Sequence, residues 1–597
     1  MLNNSFTWNF STLFESDADP KIQENLQECL SEVKQFSAKW AGTEDYLKDT
    51  TILKTALDQF TSYQEKYGSL PASYYLSLRL EQEQNNTELR AKNSKIDDVL
   101  KEINDTEKFF TLKLSKTSKE FQKECLESEL LKEYKHFLFK LFNEGQYTLT
   151  AEAEKALSYQ SDVAYSNWVS MTDKFLNGEE VEISDKGEAK RVSFNQLFSF
   201  ASDKDKSTRD SAAAQLNSVL NKYGDVAETE INSVLGYRKN IDTLRGFTRP
   251  DQARHIGDDV PSEVVDALIE GVSSNFNLSN NYYEFKAKLM GLEKLAYHER
   301  NIPYGELDKK YEWQDSVELV RLVFAKLDPE FLDIFNKMIE NGQFDVYPRA
   351  GKSGGAFCTQ GSKTNPVYVL LNHTDKLNDV LTLAHEMGHA IHHHLYNQNQ
   401  DYLNREGSMF TAEVASTFME DFVLEKILES ADDELRLAIT MNKLNDDVST
   451  IFRQTACYKF ETDLHAEFRE KGYLSKEEIG VIFRKNMSAY MGEFVSQDEG
   501  SQNWWIYWSH IRSYFYVYSY ASGLLISKAM QKNYKENAEY ILKIKEFMSA
   551  GSSKAPVELF SNLGIDVKNS KFWSESVQST GKLLEEAKLL AKKLGKI

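Results

Sequence analysis

Along most of the chain, apolar residues recur at intervals of three and four, the period of a helix with one buried face. From Pro20 to about Gly145 this reads as helix after helix. Leu26, Leu30, Val33 and Phe36 form one stripe. Ile96, Val99, Leu100 and Ile103 form another, with Ser94 placed to cap it. The charged, partly heptad-like stretch from 85 to 135 predicts an antiparallel hairpin of long helices. Residues 1–20 are irregular, with aromatic anchors at Phe6, Trp8, Phe10 and Phe14. Two stretches change the period. VEISDKGEAKRVSF alternates about Asp185-Lys186-Gly187 and predicts a β-hairpin. Between Gln343 and Asn372, GGAFCTQ and PVYVLLN predict a small sheet. Helical texture runs from Phe194 to about Leu244 and again from Asn372 to Ile597. The segment from Thr248 to Pro261, with two prolines and Gly257, predicts a loop or a lobe boundary.

Composition supports the helical reading. Proline numbers 9 and glycine 28 in 597 residues, so the two main helix breakers are scarce. Hydrophobic residues make up 41%, with 35 Phe and 30 Tyr, enough for a large core and against intrinsic disorder. The formal net charge of −21 disfavours phosphate-neutralising nucleic-acid binding and adsorption to anionic membranes. Cys29, Cys125, Cys358 and Cys457 are far apart, with no CxxC, which predicts reduced thiols. The first residues lack a basic and an apolar region of a secretory signal, and no stretch approaches 18 apolar residues. By elimination the expected location is cytoplasmic. Whether the chain is a monomer or a homo-oligomer is left open.

The chemistry concentrates at His385-Glu386-Met387-Gly388-His389. Leu377, Val380, Leu381, Ala384, Gly388, Ile391 and Leu395 make Thr374–Tyr396 an amphipathic helix. His385 and His389, four apart, project from one face and can hold one Zn²⁺ at about 2.0–2.1 Å. Glu386, one step round, reaches a water activated by that ion without ligating it. With 11 His and 92 Asp plus Glu in 597 residues, the pattern arises by chance on the order of 0.03 times per chain. A third ligand is required. His392 does not complete the three-histidine pattern, which needs glycine at 392 and histidine at 395. The helical FTAEVASTFMEDF, with Phe410, Val414, Phe418 and Phe422 on one stripe, offers a carboxylate; spacing leaves Glu406, Glu413 and Glu420 all open. A third cluster, WWIYWSHIRSYFYVYSYASG, has nine aromatics among the 17 residues from Trp504 to Tyr520. It reads either as an aromatic core helix or, through His510, Tyr516, Tyr518 and Tyr520, as a source of oxyanion donors.

GKSGGAFC, NPVYVLLN, LAHEMGHAIH, TAEVASTFMED and HIRSYFYVYSYASG follow one another within residues 351–523. In that order they resemble the M3 zinc metallopeptidases, the oligoendopeptidase F branch. A weaker resemblance covers almost the whole chain. It implies Zn²⁺ held by His385, His389 and Glu413, with Glu386 as general base. It also implies His510 with Tyr516, Tyr518 and Tyr520 against the substrate carbonyl, and Gly354, Gly355 and Ala356 along the substrate backbone. The glycine-rich stretch that follows this histidine in the thimet-type branch is absent. The implied fold is mainly α and two-lobed, with a small sheet near the active site and a deep substrate channel. The expected organisation is a helical region over 1–110, an oligopeptidase N-terminal domain with the β-hairpin over 111–195, and a zinc peptidase domain over 196–597. The expected activity is endopeptidase cleavage of short oligopeptides. Two rivals remain in the sequence: a metallocarboxypeptidase, for which Arg512 could hold a terminal carboxylate, and a non-catalytic peptide-binding protein.

Overall fold

Side chains that cap helices set where several of the elements begin. Asn86 Oδ1 accepts from the amides of Glu88 and Leu89, both at 3.1 Å, and opens one uninterrupted helix, Thr87–Ser115. Ser94 therefore lies inside a helix and caps nothing. After it come the short helices Lys119–Glu127 and Lys135–Gly145 with a 3₁₀ segment, Glu129–Tyr134, between them, so the predicted pair of long helices is one long helix and short pieces. Asn86 and Ser118 satisfy free amides at each start, and that chemistry outranks the heptad-like charge pattern.

The structure is a computed structural model describing residues 6–305, 309–405 and 407–597. It is mainly helical and divides into two compact units, each drawn from three segments. The first comprises residues 1–146, 308–429 and 529–565. The second comprises residues 147–307, 430–528 and 566–597. Among the described residues no helix is long and apolar enough to cross a membrane.

In the first unit the Lys21–Trp40 helix buries Leu26, Val33 and Phe36 as its periodicity predicts. The small sheet is present, ordered Phe344–Asp345, Val369–Leu370, Phe357–Cys358. Its first pair is parallel and its second antiparallel, which leaves Phe357–Cys358 at an edge. The N-terminal aromatics brace it. Trp8 donates to the Val369 carbonyl at 2.9 Å, and Tyr368 donates to the Asn9 carbonyl at 2.8 Å. Lys352, fully buried, pairs with Asp345 at 2.8 Å and donates to the Tyr347 carbonyl, pinning the loop that leads to the edge strand. Gly355 in that loop has φ +75, a conformation glycine adopts without strain.

In the second unit Glu180–Asp185 and Glu188–Ser193 pair antiparallel as predicted. Lys186 (φ 53) and Gly187 (φ 90) form the two-residue turn whose twist matches the strands. The segment after Thr248 is no boundary: it holds the helix Gln252–Gly257 and lies within the unit. Buried Asp251 and Asp258 take bidentate bonds from Arg249 and Arg254 and fix it there. The aromatic segment is not one helix either. It forms two 3₁₀ turns, Ser501–Ile506 and Ser509–Arg512, and then Tyr514 and Phe515 at φ 55 and 57 before a helix starts at Tyr518. Buried Arg512 is clamped on both oxygens of Glu230 at 2.8 and 2.6 Å, and the Phe515 amide donates to Glu461 at 2.9 Å. These polar anchors hold the strained turn against the helical preference of the sequence.

Candidate metal centre

The predicted amphipathic helix spans Leu377–Asn399, with Leu377, Val380, Ala384, Gly388, Ile391 and Leu395 buried. Asp379 starts it, accepting from the amides of Thr374 and Lys376 at 2.7 and 2.9 Å. His385 and His389 project together, their rings 5.1 Å apart. The crossing partner is the helix Val414–Glu429. Gly388 permits the contact: a Cβ there would lie 2.5 Å from Ser416 Cα and 2.6 Å from the Ala415 carbonyl. The glycine of the HExGH run is thus a backbone-to-backbone contact between the two helices.

Glu413 sits where the short helix Met409–Ala412 breaks and the next begins at Val414. The stripe Phe410, Val414, Phe418 predicts one continuous helix, whereas the break falls at Glu413 itself. Its Oε2 lies 3.4 Å from His385 Nε2 and 3.6 Å from His389 Nε2, and it accepts from Ser416 Oγ at 3.0 Å. Ligand atoms of His385, His389 and Glu413 all fall within 4.8 Å of one another, the convergence one metal ion requires. One other such group exists among the described residues, Asp210, His298 and Glu299. There Arg209 and Lys206 pair with Glu299 at 2.7 and 3.2 Å, so resident cations already meet its charge.

The remaining carboxylates take separate places. Glu420 Oε2 lies 3.1 Å from the other ring nitrogen of His385, Nδ1. It stands outside the converging group and on the far nitrogen of that imidazole, the place of the buttress that metal-binding histidines commonly have. Spacing alone did not reveal this; a carboxylate seven positions after Glu413, two turns along one face, is the signal in the sequence. Glu406 lies outside the described residues. His392 is buried, stacked on Phe547 with centroids 5.9 Å apart, and stands outside the converging group.

Charge in this cluster is strongly biased. Burial lifts the Glu386 carboxyl to about 7, partly countered by His385. Burial also opposes charge on His385, yet its bonds to Glu413 and Glu420 push it up to about 10. Glu413 is raised by burial but pulled down to about 2 by His385 and His389. Burial drops His389 to about 4. Two carboxylates held around buried imidazoles would be matched in charge by a divalent ion in place of the His385 proton. The donor set of two imidazoles and one carboxylate suits zinc, and the Glu420 buttress completes it.

His385, Glu386, His389 and Glu413 line one cavity of 410 Å³ together with Ala356 and the edge strand Phe357–Cys358. Gly354 and Gly355 lie in the bend just before that strand. His510, Tyr516 and Tyr520 form a cluster of their own in the second unit. His510 Nδ1 bonds the Tyr516 hydroxyl, and the Tyr520 ring lies 6.1 Å from His510 and 5.9 Å from Tyr516. Burial lowers the imidazole of His510 and raises the phenol of Tyr516. Tyr518 does not join them. It is fully buried and donates to Asp258 Oδ2 at 2.6 Å, so it belongs to the core and leaves the set of candidate donors. Arg512, 3% exposed and bound to Glu230, is likewise unavailable to a peptide terminus.

The chain is similar to known peptidases over nearly its whole length. The family described as Peptidase family M3 matches residues 199–579, and the one described as Oligopeptidase F matches residues 113–177. Oligopeptidase PepF of Bacillus subtilis is 25% identical over 589 residues, covering 97% of this chain and 86% of its own. An oligoendopeptidase F homolog of Lactococcus lactis is 24% identical over 603 residues, covering 99% and 98%. The crystal structure of oligoendopeptidase-F from Enterococcus faecium superposes with a TM-score of 0.71 at 20% identity, over 96% of this chain and 99% of that one, a likeness of fold.

Proposed function

The chain belongs to peptidase family M3, and we propose that it is a zinc-dependent endopeptidase that hydrolyses internal bonds of short oligopeptides. The observation that carries this is the convergence of His385, His389 and Glu413 with Glu386 on one cavity. His385, His389 and Glu413 would hold the ion, with Glu420 fixing the His385 ring. Zinc, when bound, supplies Lewis-acid polarisation of the scissile carbonyl and a more acidic water. Glu386, buried and with its carboxyl near neutrality, takes the proton of the attacking water and passes it to the leaving amine. The free edge of Phe357–Cys358, with Ala356 and the Gly354-Gly355 bend before it, lies along the substrate main chain by strand addition. His510, Tyr516 and Tyr520 are the donors assigned to the oxyanion of the tetrahedral state. Free thiols at all four cysteines fit a reducing, cytoplasmic location.

A quenched fluorogenic peptide blocked at both ends tests the reading. The wild-type protein should cut it internally, chelator should stop the reaction, and Glu386→Gln should lose about 10²–10⁴-fold in kcat while keeping its metal. Failure to cut the blocked peptide while trimming one with a free C-terminus would reassign the protein as a carboxypeptidase.

A further inference from the structure

Two donors one turn apart lace the edge strand to the helix that carries the metal ligands. His393 Nδ1 lies 2.8 Å from the Thr359 carbonyl, and because a carbonyl only accepts, Nδ1 carries the proton. Asn397, four residues further on, donates from Nδ2 to the next carbonyl, that of Gln360, at 3.0 Å. Both donors belong to the helix Leu377–Asn399, and both carbonyls follow directly on the strand Phe357–Cys358. All four residues lie within the first unit.

Thr359 is fixed from the sheet side as well. Its amide donates to the Tyr368 carbonyl at 2.9 Å, and its Oγ1 accepts from the Tyr368 amide at 2.7 Å. The His393 ring is in turn stacked on that of His389, with centroids 6.1 Å apart and planes 25° apart. Of the three consecutive histidines His392–His394, the middle one thus meets both halves of the site. It is bonded to the end of the edge strand and packed against a histidine of the converging group. Cys358, His389 and His393 line the same cavity.

This link matters because strand addition does not choose a register by itself. Main-chain hydrogen bonds repeat along an extended peptide, so it can pair with the same edge after sliding by a residue, about 3.3 Å. Which bond is cut then depends on the distance from the strand to the ligands. His393 follows His389 by one helical turn, a rise of about 6 Å that the helix holds rigidly. Tied to Thr359, that turn spaces the strand from the ligands. A misplacement of about 1 Å can cost about 10²-fold in rate.

Resting on the endopeptidase reading, we propose that His393 is a positioning residue: through the Thr359 carbonyl it holds the edge strand in place beside the ligand helix and so sets which bond of an extended peptide is cut.

Two variants separate the two contacts of the ring. His393→Phe keeps an aromatic ring and removes the donor. His393→Asn keeps a donor near the place of Nδ1 and removes the stacking. His393→Leu, which lacks the donor in a smaller side chain, should behave as His393→Phe. Hydrogen exchange read by mass spectrometry on the substrate-free proteins tests the link itself. Amides of residues 357–360 should exchange about 3–10-fold faster in His393→Phe, as expected for one lost hydrogen bond, and near the wild-type rate in His393→Asn. The consequence is read on a doubly blocked peptide that the wild type cuts at one bond, with the product ends mapped by mass spectrometry. His393→Phe should spread the cuts to neighbouring bonds and lose about 10–100-fold in kcat at the original bond, with KM nearly unchanged. His393→Asn should restore the single cut. A residue that only stabilised the fold would leave the product pattern as it is. Wild-type exchange at 357–360 in His393→Phe and His393→Leu, a single cut at wild-type kcat in those variants, or an equal loss in His393→Asn would each overturn the proposal. Absence of internal cleavage by the wild type would strike at the endopeptidase reading, while the exchange rates still decide whether His393 holds the strand.

Discussion

Gly388→Ala tests how the fold builds the metal centre, because this substitution touches no ligand. The new Cβ would lie 2.5 Å from Ser416 Cα, against 3.4 Å where ordinary contact begins, so the backbones must part by about 3.4 − 2.5 = 0.9 Å. Backbone cannot rotate out of the way as a long side chain can. Parting moves the Val414–Glu429 helix, and with it Glu413, whose carboxylate now sits 3.4 and 3.6 Å from the two histidine nitrogens. Metal–ligand distances hold to about ±0.2 Å, so a shift of that size would spoil the proposed third ligand. Stability should fall by up to about 2 kcal/mol, since overpacking costs about 1–3 kcal/mol and alanine is the better helix former by about 1 kcal/mol. The expected result is a folded protein, by circular dichroism and melting, whose zinc affinity in chelator competition falls by at least the 10–100-fold typical of disturbed ligand support. A folded Gly388→Ala protein with wild-type zinc affinity would refute the claim that this glycine sets the helix crossing.

Two further outcomes follow from the proposed function. His510→Ala should lower kcat by about 10²–10³ with little change in KM or metal content, because a donor aimed at the oxyanion acts mainly in the transition state; an unchanged kcat returns His510 to a packing role. Short peptides should be cut and folded proteins spared, since a folded domain must first unfold at a cost of about 5–15 kcal/mol to offer an extended strand. Reduced, denatured casein removes that cost, and its cleavage at the rate of a short peptide would show that chain length is not selected.

The parts that local chemistry dictates were legible in the sequence. The hairpin follows from alternation around Lys186-Gly187, and the metal helix from apolar spacing around His385 and His389. The edge strand beside the site follows from two short β-prone runs. What escaped depends on tertiary partners. Ser94 looks like a cap only if the helix starts there, and the competing signal, Asn86, lies outside the apolar stripe. The break at Glu413 interrupts a stripe that reads as continuous. The turn at Tyr514 and Phe515 is imposed by Glu230 and Glu461, some 280 and 54 residues away in sequence. Tyr516, Tyr518 and Tyr520 are equivalent as letters, yet Asp258 claims the middle one. Glu420 and Glu413 are likewise both acidic residues on one segment, and only the geometry of His385 gives them different nitrogens.

The central claim is that His385, His389 and Glu413, and not His392, hold the catalytic ion. The most direct test is the metal content of purified, folded Glu413→Ala and His392→Ala. Glu413→Ala should come away without zinc and without activity. His392→Ala should keep wild-type zinc. Zinc retained in the first and lost in the second would contradict the account.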